Sequence, residues 1–422
     1  MRLISRALGL FALLLIGASA RADESNFRRY IVGGRAAGMG GAFTALADDG
    51  SGPYYNPGGP AFATRSMLSL SASVYGVALG SQKDALGVGH DFDYSTLNVF
   101  PVSTSSVSKF GAVDASGAAP NTLALSVFVP DAHMIDARDT LGSEANAFLL
   151  NRQEQTIWAG PSYARRFDRL GIGASAFVLV GTQKGLLDFR QGNESTFLTV
   201  TTRSDQTIFG VVGAVGLRYD VNENLKVGAS FYSPELGISG SRQSFVRVER
   251  NAGSTVQSRE DLHATPSLPW RAQAGIAWTS GELTLAVDAI VLGALEIQDD
   301  VQLSGQGLDR RVKRNMVVNG SAGFEYVIDD KFPLRAGFFT DFAASDRPIP
   351  DQEWDNVDHL DRYGTTVSIG WRTDHTATDL GLNISYASGQ TLRFDDLQNF
   401  GLVATESTET LFYLFLATSY QF

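Results

Sequence analysis

The chain has 422 residues, a formal net charge of -11 at pH 7 and no cysteine. The acidic balance argues against a nucleic-acid partner, because binding to phosphates depends on lysine and arginine. The absence of cysteine excludes disulfide bonds and thiolate metal ligands.

The first 22 residues have the pattern of a secretory signal peptide. Two arginines precede an apolar run at 7–16, which is too short to cross a membrane as a helix, and small residues follow. We expect residues 1–22 to be removed after Ala20 or Ala22. The alternative is a helical anchor that is retained.

Residues 23–65 lack the alternating pattern of the rest of the chain. They contain a glycine cluster at 33–41 and the turn signal Asn56-Pro57-Gly58, which suit tight turns and close backbone approach. A nucleotide-binding loop fits poorly, because Phe43 stands where a third glycine would be needed. The segment is therefore predicted to be a small folded insert.

From residue 67 onward, apolar and polar residues alternate in fourteen segments. The predicted strands are 67–79, 94–107, 121–130, 152–167, 170–186, 203–220, 224–239, 264–280, 282–298, 314–329, 332–343, 361–373, 379–391 and 409–422. Short links alternate with long polar segments, as the periplasmic turns and outer loops of membrane barrels do. The predicted long loops are 131–151, 187–202, 240–263, 299–313, 344–360 and 392–408.

The alternation is that of a sheet with one apolar face. Leu283, Leu285 and Val287 share one face of a predicted strand, and the last strand ends on the aromatic residue Phe422. A soluble β-sandwich also alternates. The long strands and unequal links favour an all-β fold, a transmembrane antiparallel β-barrel of about 14 strands spanning 66–422, with an N-terminal hatch inside the lumen.

Several motifs resemble the FadL/TodX family of outer-membrane transporters for hydrophobic compounds. They include the run Gly34-Arg-Ala-Ala-Gly-Met-Gly-Gly-Ala-Phe43, the triplet Ala47-Asp48-Asp49 and the dipeptide Asn56-Pro57. The matching hatch residues are Gly34, Arg35, Gly38, Gly40, Gly41, Asn56 and Pro57. The resemblance implies a plugged barrel that takes a long-chain fatty acid into an interior pocket and releases it sideways at a kinked third strand, where Pro130 is the candidate gate residue.

Two features depart from that family. Gly58 replaces the usual alanine after Asn-Pro and is expected to loosen the hatch turn, and the predicted loops 187–202 and 240–263 are polar rather than apolar. The second departure puts an external capture groove in doubt.

A fatty-acid pocket needs an apolar lining and a partner for the carboxylate, because burying an unpaired charge is costly. Strand parity places seven candidates in the lumen: Phe128, Trp158, Phe177, Phe339, Arg271, Arg335 and Arg362. Arginine suits a carboxylate because its planar fork bonds both oxygens. The alternative is that these arginines pair with Asp288, Glu325 or Asp341 on neighbouring strands.

The five histidines show no catalytic or metal-binding spacing, so an enzyme is not expected, and neither is a cofactor or a metal. The sequence favours a monomeric channel in the Gram-negative outer membrane, with membrane lipid and a hydrophobic small molecule, a fatty acid or an aromatic hydrocarbon, as its partners. Two alternatives are a barrel that carries protein cargo in secretion and an open porin.

Overall fold

The computed structural model describes residues 26–27, 29–84, 89, 91–98, 102–112, 119–139, 147–192, 197–250, 253–262, 268–303, 306–349, 358–396 and 401–422. The predicted signal peptide lies outside these residues. Among them, no helix is long and apolar enough to cross a membrane.

The chain forms a closed antiparallel β-barrel of fourteen strands, in which β1 pairs with β19 to complete the ring. The strand segments are β1 Met67–Gln82, β2 Phe92–Asn98, β3 Val102–Phe110, β4 Asn121–Asp139, β5 Ala147–Phe167, β6 Leu170–Gly192, β7 Phe197–Asp220, β8 Leu225–Tyr232, β9 Leu236–Arg250, β10 Gly253–Leu262, β11 Arg271–Ser280, β12 Leu283–Leu292, β13 Leu295–Leu303, β14 Gln306–Arg314, β15 Val317–Ile328, β16 Phe332–Asp341, β17 Asp358–Arg372, β18 Thr376–Asp396 and β19 Gly401–Gln421. Five barrel strands consist of two segments each: β2 with β3, β8 with β9, β10 with β11, β12 with β13, and β14 with β15. The prediction of fourteen strands is confirmed.

The alternation of side chains separates a lipid-facing surface from the lumen. On β12, the side chain of Val287 is 61% exposed and that of Asp288 only 2%. On β19, Leu414 and Leu416 face outward, whereas Tyr413 is buried inside. The outward apolar side chains form the lipid-facing band expected of a transmembrane barrel.

Most of the predicted long loops are too long, because the strands extend into them from their ends; the middle parts of these loops lie outside the described residues. β4 runs to Asp139, and β6 and β7 remain paired from the periplasmic turn up to Gly192. Along this upper part of β6 the outward residues are polar, such as Lys184 and Arg190, both exposed. In this part of β6 the apolar residues Leu187 and Phe189 face inward and are buried, so the ladder persists while polar residues replace apolar ones on the outer face.

The hatch, residues 26–65 of the described chain, fills the lumen. It contains two short helices, α1 (Gly34–Gly38) and α2 (Gly52–Tyr55), and a 3-10 turn at Gly59–Phe62. Apolar hatch residues such as Met39 and Phe43 are completely buried in one cluster with the inner wall. The main core of the protein therefore lies between the hatch and the barrel.

Glycines allow the hatch backbone to touch the wall. Gly40 has a left-handed φ of +64°, and a Cβ there would lie 2.7 Å from the backbone nitrogen of Phe338. A Cβ on Gly58 would lie 2.7 Å from the carbonyl oxygen of Gly216. Glycine at position 58 thus permits close packing against the wall, whereas the sequence led us to expect a looser turn.

Candidate functional site

A cavity of about 130 Å³ lies between the hatch and the inner wall of β4 to β8, β11 and β12. Its lining includes Asn26, Phe27, Tyr54, Pro130, Trp158, Ile208, Tyr232, Leu268, Arg271 and Leu292. The hatch thus supplies one side of the cavity and the barrel the other. Among the described residues, no group of three or more His, Asp or Glu side chains could hold a metal ion.

Aromatic rings form the floor of the cavity. Phe128, Trp158 and Phe177 point inward as strand parity predicts, and all three are buried. Tyr54 of the hatch joins them: its ring centroid lies 5.7 Å from that of Phe128 and 5.6 Å from that of Trp158. Trp158 lines the cavity directly, while the two phenylalanines support it from behind. The result is a rigid aromatic surface suited to a flat or apolar ligand.

The fourth predicted aromatic residue, Phe339, lies away from this group. It is fully buried on β16, where its ring packs against Gly364 of the next strand. Two lining tyrosines, Tyr54 and Tyr232, were missed from the sequence. Tyr232 ends β8 and its hydroxyl donates to the backbone oxygen of Tyr54, 2.6 Å away, so only the fold brings the two together.

Two of the three candidate arginines are neutralised by carboxylates. Arg335 donates to Glu325 and to Asp379, with nitrogen to oxygen distances of 2.6 Å in each case. Arg362 donates to Glu409 at 2.6 Å. The alternative of ion pairing inside the lumen therefore describes these two residues, although Arg362 pairs with Glu409 rather than with a residue considered from the sequence.

Arg271 differs from them. One terminal nitrogen donates to the backbone oxygen of Tyr54 at 3.0 Å and the other to its hydroxyl at 3.2 Å. The guanidinium carbon lies 4.0 Å from the ring centroid of Tyr232 and 5.7 Å from that of Trp158. Within the described part of the chain, no carboxylate lies within ion-pair distance of Arg271.

A bulge interrupts β4 next to the cavity. Val129 and Pro130 together stand opposite one residue of β5, Ile157. Because two residues face one, the side chains that point inward have even residue numbers before the bulge and odd residue numbers after it. The strand itself continues to Asp139. Pro130 thus marks a bulge inside a long strand rather than the end of a strand.

On the other side of β4, the described ladder with β3 ends near the bulge. The ladder between β3 and β4 ends at the pair Thr104 and Val127. Beyond it, the backbone N–H of Val129 donates to the hydroxyl of Ser103, and that of Asp136 to the hydroxyl of Thr96, both at 3.2 Å. Among the described residues, the hydroxyls of Ser103 and Thr96 take the place of ladder partners at these two positions; residues 99–101 lie outside the described chain.

Ion pairs and hydrogen bonds fix the hatch in place. Arg35 donates to Glu325 of the wall at 2.8 Å and to Asp48 of the hatch at 3.0 Å. Burial raises the pKa of Asp48, but the charges of Arg35 and Arg218 outweigh this effect and hold the pKa below its usual value. This carboxylate therefore stays charged near neutral pH and ties the hatch to two arginines.

Buried polar groups add to this attachment. Asp288 of β12 accepts hydrogen bonds from the backbone N–H groups of Phe43 and Thr44, each 2.8 Å long. The side-chain amide of Asn56 donates to the backbone oxygens of Thr44 and Leu217. The lumen is therefore closed below the cavity by a segment that is bonded to several strands.

No family profile matches this chain, and no curated protein matches it in sequence. Among solved structures, the toluene transporter TodX of Pseudomonas putida superposes with a TM-score of 0.68 at 14% identity, covering 94% of this chain and 100% of that chain. A FadL homologue of Pseudomonas aeruginosa gives 0.65 at 12% identity, with the same coverage. The toluene transporter TbuX of Ralstonia pickettii gives 0.59 at 13% identity, covering 94% and 99%.

These similarities extend over nearly the whole of each chain. At this level of identity they establish the fold, so the predicted resemblance to FadL/TodX-type proteins is confirmed for the architecture.

Proposed function

We propose that this protein is a channel for the passive uptake of hydrophobic molecules through a Gram-negative outer membrane. The observation that carries the proposal is the position of the bulge at Val129 and Pro130. The bulge lies beside an interior cavity, in a stretch of β4 where side-chain hydroxyls accept backbone N–H groups in place of a ladder, while the hatch closes the lumen below. A ligand that enters the cavity from outside then has a lateral route into the lipid and needs no aqueous path.

Burial of apolar surface drives each step of this route. At roughly 25 cal/mol per Å², a ligand gains free energy when it leaves water for the cavity, and it keeps that gain in the hydrocarbon core of the membrane. Neither a cofactor nor an energy source is required. Trp158 and Tyr54 provide the apolar surface in the cavity, and Pro130 stands at the exit.

The size of the cavity favours small ligands. An apolar protein cavity of about 150 Å³ holds one benzene molecule, and the cavity here measures about 130 Å³. A single aromatic ring therefore fits, whereas a long-chain fatty acid would extend beyond it. The toluene transporters TodX and TbuX have the same fold. We therefore favour one-ring compounds over long-chain fatty acids as substrates.

Deletion of Pro130 tests the lateral route. The deletion removes the extra residue of β4, so that a single residue faces Ile157. Inward and outward side chains then alternate without interruption along the whole strand. We expect a regular strand and loss of toluene uptake when the variant replaces the wild type in a Gram-negative host that lacks its own channel for toluene. The substitution Pro130→Ala is the matched control, because it keeps the extra residue and should retain uptake.

The result is informative only if both variants fold into the barrel. Circular dichroism of each variant in detergent measures this. Uptake by the deletion variant equal to that of the wild type would refute a lateral exit at β4. Failure of the wild type itself to accelerate uptake would refute the proposed function.

A further inference from the structure

The cavity lining contains one arginine, Arg271, and two buried N–H groups that a pure hydrocarbon would leave without partners, and it also contains the carboxylates of Asp131, Glu154 and Glu235. Arg271 is held by Tyr54 but has no carboxylate partner among the described residues, and its buried Nε–H has no acceptor. The indole N–H of Trp158 is buried and also lacks an acceptor in the described part of the chain. Buried donors without acceptors are uncommon and cost free energy, so their position beside a cavity needs an explanation.

The contrast with the other arginines is informative. Arg335 and Arg362 are buried in the same lumen, and each has a carboxylate within 2.6 Å. The protein's own carboxylates therefore neutralise Arg335 and Arg362. Arg271, the candidate arginine that lines the cavity, has no such carboxylate partner among the described residues. A negatively charged ligand would complete the same pattern.

Geometry limits how such a ligand can bind. The guanidinium carbon of Arg271 lies 4.0 Å from the ring centroid of Tyr232 and 4.8 Å from that of Tyr54, so tyrosine rings lie against the guanidinium. Two of its five N–H bonds are used by Tyr54. The rings cover the faces of the Arg271 guanidinium, and its edge remains available to a ligand. A planar carboxylate matches the edge of a guanidinium.

We infer that the physiological ligand is a one-ring aromatic compound that carries a carboxylate, the class of benzoate, with the carboxylate at Arg271 and the ring against Tyr54 and Trp158. The inference rests on the proposed function and narrows its substrate class. The ligand binds Arg271 as the carboxylate and enters the lipid after taking up a proton from water, because a bare charge is costly to bury in hydrocarbon. The cavity of about 130 Å³ admits one ring, and the aromatic floor favours a flat body over a flexible chain. The N–H of Trp158 provides a second donor for the same acceptor group.

The experiment compares three ligands on the purified full-length protein in detergent. Benzoate and toluene have the same ring, which carries a carboxylate in benzoate and a methyl group in toluene. Octanoate has a carboxylate but no ring. We expect wild-type protein to bind benzoate at least about tenfold more tightly than either of the others by isothermal titration. Toluene binding equal to or tighter than benzoate binding overturns the inference, and octanoate binding equal to that of benzoate overturns the choice of an aromatic ligand.

Arg271→Met is the decisive variant, because it keeps an unbranched apolar stem and removes the charge and all five N–H groups. Hydrogen bonds to charged groups are worth enough to predict about 10- to 100-fold weaker benzoate binding, with toluene binding unchanged. An equal loss for both ligands would indicate a merely structural role and would overturn the assignment.

Trp158→Phe keeps a ring and removes only the N–H donor. It should weaken benzoate binding by about threefold to tenfold, as expected for one neutral donor, and leave toluene binding unchanged. This variant keeps the test valid if Arg271→Met fails to fold; unchanged benzoate binding would exclude Trp158 as a donor to the carboxylate.

Uptake in cells separates this inference from the proposed function. Uptake of toluene without uptake of benzoate would leave the channel proposal intact and overturn the carboxylate ligand. Absence of uptake for all three compounds would overturn both.

Discussion

The attachment of the hatch to Asp288 gives the sharpest test of how the lumen is closed. One carboxylate oxygen accepts the backbone N–H groups of Phe43 and Thr44 at 2.8 Å each, and the Asp288 side chain is 2% exposed. Hydrogen bonds to charged groups contribute about 1.5–3 kcal/mol each. Asp288→Ala removes both and leaves two buried N–H groups without their acceptor, so the local free energy of hatch opening should fall by about 3–6 kcal/mol.

Amide hydrogen exchange measures this loss directly, because it reports local opening as well as global unfolding. Exchange at residues 43 and 44 should become about 100- to 10,000-fold faster, since each 1.4 kcal/mol is a factor of ten. The barrel strands should keep their protection. Single-channel recordings should then show openings that the wild type lacks.

Two controls make the comparison quantitative. Asp288→Asn keeps an acceptor oxygen in place without the charge, and charge-assisted hydrogen bonds are about twice as strong as neutral ones. It should therefore lose about half as much free energy. Asp374→Ala changes an exposed aspartate in a turn and should have no effect. Unchanged exchange at 43 and 44 in Asp288→Ala would show that the carboxylate does not hold the hatch.

Two further predictions concern the hatch contact and the lipid face. Gly40→Val places a branched side chain at φ +64° and against the backbone of Phe338. We expect the hatch of this variant to become sensitive to protease while the barrel stays folded. A hatch that resists protease as well as the wild type does would contradict the close approach at Gly40. Val287→Arg puts a charge into the lipid-facing band at a residue that is 61% exposed, which should lower the free energy of unfolding from lipid vesicles by about 2–4 kcal/mol. Gln243→Arg, on the outer surface above the band, is the matched control and should be near neutral.

The membrane-spanning part of the fold could be predicted because the bilayer enforces a simple rule. Where one face meets lipid and the other a polar lumen, as at Val287 and Asp288, apolar and polar residues must alternate. The number and order of strands follow from that pattern. Above the bilayer the outer face of the sheet is polar rather than apolar, which is why the strand around Arg190 is predicted from the sequence to be a loop.

The site could be predicted only in part. The alternation along a strand shows whether a side chain points into the lumen, but it does not show which other side chains it contacts there. Parity placed Phe128, Trp158 and Phe177 inside, and the structure brings all three together. It could not show that Arg362 meets Glu409 two strands away, or that Tyr54 of the hatch would lie beside Trp158. Such contacts depend on the register of distant segments, for which a single sequence carries no signal.

The proposed lateral exit raises the question of how β4 keeps its backbone N–H groups bonded. Inside a bilayer each unpaired backbone group costs several kcal/mol, which is why barrels close their ladders completely. At the bulge, the N–H of Val129 donates to the hydroxyl of Ser103, and nearer the end of β4 the N–H of Asp136 donates to the hydroxyl of Thr96. A hydroxyl on the preceding barrel strand therefore satisfies the N–H that the bulge withdraws from the ladder. An exit at Pro130 would thus depend on two strands together: β4 provides the bulge, and the strand before it provides the acceptor that makes the bulge tolerable in lipid.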